Sequence, residues 1–219
     1  MLTLTLVQKI AVWTIPVLLA ITLHEAAHAW AANKCGDTTA KQLGRLSINP
    51  LKHIDLIGTI LVPIIIGILS DFQFIFGWAK PVPVRWNRLR RPRLDTAIVG
   101  AAGPVANLIM ALLWAACMKF VTVINPERSI VAIFILLAAQ AGLIVNVLLA
   151  SLNLLPIPPL DGSRIITSML SFKQEAYYRM LEPYGFLILI ILIFTGILRL
   201  VVQPMVYGIL YIIDSIFGL

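Results

Sequence analysis

Long apolar blocks, separated by segments dense in arginine and lysine, limit what this chain can fold into. The first runs from about Leu6 to Ala32, and others cover about Thr96–Val123, Ile130–Leu152 and Tyr184–Leu219. Each reaches the roughly 20 apolar residues that a helix needs to cross a bilayer. In hydrocarbon every backbone N–H and C=O must be bonded within the chain, so such blocks fold as helices. Composition agrees: 60% of the 219 residues are hydrophobic and 12% are charged, against about 25% charged in a soluble domain. The expected architecture is an all-α polytopic membrane protein. It is one membrane-embedded domain over 1–219, with a core of about 6–170 and C-terminal helices over about 171–219. Cys35 and Cys117 are too few for a disulfide framework and lack metal-site spacing. The first block has no basic start and no cleavage site, so it reads as a retained span rather than a signal peptide.

Charge sets the expected sidedness. Thirteen of the 17 lysines and arginines fall in three connecting segments, 34–52, 80–93 and 164–179. The positive-inside rule makes all three cytoplasmic. Both flanks of the apolar stretch Leu56–Phe76 then lie on one side, so it enters and leaves from that side. Its Gly58, Pro63, Gly67, Ser70 and Asp71 suit a re-entrant element better than a crossing helix. The alternation and prolines of Gly77–Val84 suit an edge strand. Together they predict a re-entrant β-like element after the first span. Ser163–Glu182 is amphipathic and expected at the interface. The last block holds one long span, or two if the chain turns near Gln203-Pro204. The net charge of +7 is explained by topology and anionic lipid, not nucleic acid. Arg88–Arg93 reads as a topogenic or lipid-facing cluster, and Trp78 and Trp86 as interfacial anchors.

Within the first block stands His24-Glu25-Ala26-Ala27-His28. Histidines at i and i+4 share one helix face and can grip one cation. A glutamate beside them is the group a zinc hydrolase uses to activate water. Histidines hydrogen-bonded within a helix bundle are the plainer alternative. Three ionisable groups at membrane depth are costly, however, and mark a functional site. A catalytic zinc takes three protein ligands and leaves a fourth position for water. Asp161 is the first candidate for the third ligand, since a proline-punctuated segment presents it at the end of a span. His53, Asp37 and Asp55 compete.

The pentapeptide is followed by Gly103-Pro104-Val105-Ala106-Asn107 and by Asn153-Leu154-Leu155-Pro156-Ile157-Pro158-Pro159-Leu160-Asp161-Gly162. In this order, over roughly residues 20–170, the three motifs resemble the signatures of site-2 proteases, which are intramembrane zinc metalloproteases. The resemblance is to the compact form without a PDZ domain. It implies that His24, His28 and Asp161 hold one Zn2+ per chain and that Glu25 is the general base. It also implies a core of three transmembrane helices with a re-entrant β-like element after the first. Asn107 is the candidate oxyanion donor or substrate-backbone ligand, with helix–helix packing beside Gly103 as the plainer reading. Asn153 is a candidate for binding substrate or supporting the ligands, or else a turn former, and Asn146 is an interhelical contact. His53 is either a substrate-facing group near the metal or an interfacial histidine bonded to Asp55 or backbone. The expected partners are a transmembrane protein or peptide substrate and the lipid bilayer. The expected activity is regulated intramembrane proteolysis in the cytoplasmic membrane of a prokaryote, near its cytoplasmic side. An extended substrate would add to a strand edge in Gly36–Asn49 or Gly77–Val84. An intramembrane metal transporter and an inactive membrane scaffold are the rival functions. The sequence leaves the oligomeric state unknown.

Overall fold

A computed structural model describes residues 5–62, 65, 80–123 and 129–219. Helix α1 spans Leu6–Lys34 and starts at a capping box, in which Thr5 and Gln8 satisfy each other's backbone N–H. It ends at Cys35, where Gly36 turns the chain with a φ of 114°. A short helix α2 (Thr39–Gln42) follows, and Leu56–Leu61 is π-helical. Helix α3 covers Pro92–Val123, α4 Ile130–Asn153, α5 Asp161–Met169 and α6 Phe172–Arg179. The chain closes with α7 (Gly185–Phe194) and α8 (Ile197–Phe217).

Helix α3 runs antiparallel to both of its long neighbours. Ala20 and His28 of α1 face Asn107 and Val99 of α3, and Asn146 of α4 meets the same Asn107. The seams are built from small residues. Ala20, Ala29, Ala111, Ala115, Ala138, Ala139 and Ala150 are buried, whereas Ile109, Leu113, Phe120 and Ile130 are exposed. Large apolar side chains outside and small ones within are what helices need to approach closely in lipid. At Gly142 a Cβ would collide with the Trp114 ring. Five stretches are long and apolar enough to cross a bilayer: Val7–Lys34, Pro92–Val123, Ile130–Asn153, Phe172–Phe194 and Ile197–Phe217. The chain is a multi-pass membrane protein.

Two expectations change. Among the described residues there is no strand, so the β-like element is not found. The 36–49 stretch holds turns and α2, while residues 80–84 are unpaired with any other strand. Most of Leu56–Phe76, and Gly77–Ala79 with Trp78, lie outside the described residues. The C-terminal block does not turn at Gln203-Pro204. It turns at Thr195-Gly196, where Gly196 has a φ of 75°, and Pro204 lies inside α8. The 163–182 stretch, expected at the interface, is divided between two short helices, α5 ending at Met169 and α6 beginning at Phe172. The fourth apolar stretch, Phe172–Phe194, is interrupted at Met180–Tyr184, and α7 alone has 10 residues, about 15 Å of helix and half a bilayer. Leu189 of α7 and both Leu198 and Val202 of α8 share one cluster with Leu155 and Leu160. Helix α7 therefore stays at one end of the bundle. Helix α8 leaves that end and reaches the other, where the Lys119 ammonium donates to the Gly218 carbonyl.

Candidate metal centre

Helix geometry puts His24 and His28 one turn apart on α1, and both are buried at 8% exposure. The two Nδ1 atoms face acceptors that cannot donate. His24 Nδ1 lies 2.5 Å from Asn107 Oδ1, and His28 Nδ1 lies 2.7 Å from the Val99 carbonyl. Both Nδ1 atoms therefore carry the proton in the neutral rings, and both Nε2 lone pairs are bare. These Nε2 atoms are 3.1 Å apart, and Asp161 Oδ2 lies 3.1 and 3.2 Å from them. Three acceptors aimed at one another repel unless a cation sits among them. Nitrogen and oxygen donors of this kind suit Zn2+.

Asp161 opens α5 directly after the Leu155–Leu160 break. The break folds tightly, for a Cβ at Gly162 would overlap the Leu154 and Leu155 carbonyls. On the opposite wall, Gly103 of α3 brings bare backbone against the histidines. A Cβ there would overlap Nε2 of both His28 and His24. The glycine of the Gly103–Asn107 motif is thus required by space at the donor atoms.

Asn107 is bonded across the bundle. Its Oδ1 faces His24, and its amide nitrogen donates to the Ala20 carbonyl at 3.3 Å and to Asn146 Oδ1 at 2.8 Å. Asn146 in turn donates to the Gly142 carbonyl at 2.8 Å. Both asparagines are buried, and both N–H groups of Asn107 are engaged inside the bundle, so in this arrangement Asn107 stands behind His24. Asn146 is the interhelical contact expected of it, while its place behind a group that faces the metal donors was not readable, since nothing local distinguishes the two.

The metal donors line a cleft of about 800 Å³ together with Glu25, Val82, Asn153 and Phe186. Glu25 Oε2 accepts from the Val82 N–H at 2.7 Å. Pro81 and Pro83 carry no N–H, so Val82 supplies the sole donor of that triplet. Lys80 N–H is taken by the His53 carbonyl and Arg85 N–H by Asp37 Oδ2. The 80–85 segment therefore has no row of free donors for an added strand, which removes the expected edge there. Asn153 does face the cleft, its amide nitrogen donating to the Leu149 carbonyl at 3.0 Å.

The competing ligands are engaged elsewhere. His53 is buried with Nε2 at 2.8 Å from the Ser47 carbonyl, so it is bonded to backbone and lines no part of the cleft. Asp55 caps the turn at Ile57 and Gly58. Asp37 accepts from Thr39 and Arg85. Burial pushes the Asp37 carboxyl up, but these hydrogen bonds outweigh it and hold its pKa below the usual carboxylate value.

The family model of Peptidase family M50 matches residues 118–195, the stretch that contains Asp161 and the proline-rich break. The chain is 38% identical over 199 residues to "Putative zinc metalloprotease YwhC" of Bacillus subtilis (strain 168), covering 87% of this chain and 84% of that protein. It is 31% identical over 182 residues to "Putative zinc metalloprotease Rip2" of Mycolicibacterium smegmatis, covering 83% of this chain and 66% of the relative. The Rip2 protein of Mycobacterium tuberculosis (strain H37Rv) is 27% identical over 162 residues, 71% of this chain and 54% of that one. No solved structure matches. The YwhC likeness runs through nearly the whole chain and the family model takes in the third motif, so the chain belongs to Peptidase family M50, the site-2 protease family.

Proposed function

We propose that the chain is a zinc-dependent membrane endopeptidase that hydrolyses transmembrane or membrane-proximal segments of other proteins. One observation carries the reading. The ligand atoms of His24, His28 and Asp161 all lie within 4.8 Å of one another, and Glu25 lines the same cleft. Two imidazoles and a carboxylate are ligands that zinc accepts, and a set of three leaves a position for water. Zinc held there supplies Lewis acidity, which lowers the pKa of water towards ~7 and polarises a peptide carbonyl.

The chain's own groups do the rest. Val82 N–H fixes one oxygen of Glu25, while the other takes a proton from the attacking water and passes it to the leaving nitrogen. Asn107 and the Val99 carbonyl keep the histidine rings in the tautomer that ligates. Asn153 offers its amide oxygen to the N–H of an unwound substrate. The basic segments lie at this end of the bundle, and the positive-inside rule makes that end cytoplasmic. Cleavage then occurs near the cytoplasmic face of the host membrane, as a step of regulated intramembrane proteolysis.

The test uses purified chain and its Glu25→Gln variant. Zinc stoichiometry should be about one per chain in both, and only the wild type should cut transmembrane peptides. Equal cleavage by the two would sink the assignment.

A further inference from the structure

A second cavity, of about 920 Å³, adjoins the cleft and shares Val84, Trp86 and Arg164 with it. Five arginines line it, Arg85, Arg91, Arg93, Arg164 and Arg179, against the single carboxylate of Glu175. Three are partnered. Arg179 pairs with Glu175 at 2.7 Å, Arg164 with Glu182 at 2.8 Å and Arg91 with Asp95 at 3.4 Å. Arg85 and Arg93 have no carboxylate partner among the described residues. The Arg93 guanidinium lies 4.6 Å above the Phe172 ring, and that of Arg164 lies 5.2 Å from Trp86. Like charges gathered in one concave site raise the local potential and draw in an anion.

Position narrows the anion. The cavity is lined by Pro92 and Arg93, which open α3, and by Phe172, which opens the apolar stretch Phe172–Phe194. Arg93 stands where the apolar length of α3 begins, and α6 is the polar helix ahead of the apolar α7, so hydropathy puts this wall at the headgroup layer. Phe172 is 80% exposed, giving the wall an apolar lip beside its cations. Guanidiniums bind phosphate oxygens in pairs, and basic pockets between membrane helices hold lipid headgroups.

We propose that this cavity binds the phosphate of an anionic phospholipid headgroup, with Arg85 and Arg93 as its counter-charges and Phe172 against the glycerol and first methylenes. Through Arg164 and Trp86 an occupied cavity borders the catalytic cleft directly. The inference needs the membrane setting and not the peptidase reading.

The test is native mass spectrometry of the full chain in detergent, titrated with phosphatidylglycerol or phosphatidylcholine. Phosphatidylglycerol should saturate at one molecule per chain and bind roughly thirtyfold tighter than phosphatidylcholine, two counter-charges near a headgroup being worth about that factor. The Arg85→Gln/Arg93→Gln pair should abolish that preference, and Arg93→Glu alone should weaken it. Lys9→Gln, at the far end of α1, and Glu25→Gln should leave it unchanged. Equal retention of the two lipids, or a double variant that binds like wild type, overturns the proposal. So does saturable binding of inorganic phosphate without lipid preference, which would assign the cavity to a soluble phosphate.

Discussion

Single atoms decide most of the chemistry at the metal centre. Gly103 has no room for a methyl group beside the two Nε2 atoms. Gly103→Ala should therefore lower zinc affinity at least tenfold while leaving the helical content intact, as chelator competition and circular dichroism would measure. Asn107 must accept from His24 and must therefore donate to Ala20 and Asn146. Asn146→Leu removes the acceptor that keeps Asn107 from flipping, and zinc affinity should fall on the order of tenfold, the usual cost of a lost outer partner. In an Asn107→Ala background the same change should cost nothing further. An additive loss would show that Asn146 acts by packing alone. The gathering of His24 and His28 beside Glu25 was legible because ionisable groups at helical spacing in an apolar run have few other uses, and that of Asp161 because a proline-punctuated break presents it at the end of a span. Asn107 was picked out with its task left open between the substrate and helix packing, since an amide's role depends on which partner reaches its oxygen. His53 was ambiguous for a similar reason, its fate being set by the Ser47 carbonyl six residues away.

At the scale of elements, the 80–90 segment shows how a strand-like sequence can decline to be a strand. Its alternation and prolines read as an edge, but an edge needs a row of N–H groups. Here Pro81 and Pro83 have none, and Lys80, Val82, Arg85 and Arg90 spend theirs on His53, Glu25, Asp37 and Cys35. The segment is tied to the end of α1 instead of to a sheet. Asp37 is the main tether, with both oxygens engaged. Asp37→Ala should destabilise the detergent-solubilised protein by about 1–3 kcal/mol, because buried donors at Thr39 and Arg85 lose their acceptor. The carboxyl's folded pKa lies below its unfolded value, so its contribution is whole above about pH 4 and is lost as pH falls through the depressed value. Thermal unfolding of wild type and variant should accordingly differ at neutral pH and converge in acid. A constant gap down to the lowest pH would exclude the ionised tether.

For the whole molecule, the long blocks were readable from hydropathy, whereas the path of the last 50 residues was not. Hydropathy alone cannot tell a helix that crosses from one that turns back. Helix α7 is apolar throughout but too short to cross, and α8 returns to the end where α3 finishes. Residues 9 and 219 should then lie on the same side of the membrane, opposite the basic segments. Single cysteines at Lys9, Lys41 and Leu219, in a background without Cys35 and Cys117, would react with an impermeant maleimide in intact cells as two alike and one apart. Labelling of Lys9 and Leu219 on opposite faces would overturn the four-crossing path. The bonded line from His24 through Asn107 and Asn146 to the Gly142 carbonyl joins α1, α3 and α4. Sliding any of these helices by one turn would break it. A ligand that favours the aligned state stabilises that alignment by mass action. Zinc occupancy is then a clamp on interhelical register, and stripping the ion should quicken hydrogen exchange along the seams of all three helices as well as at the histidines.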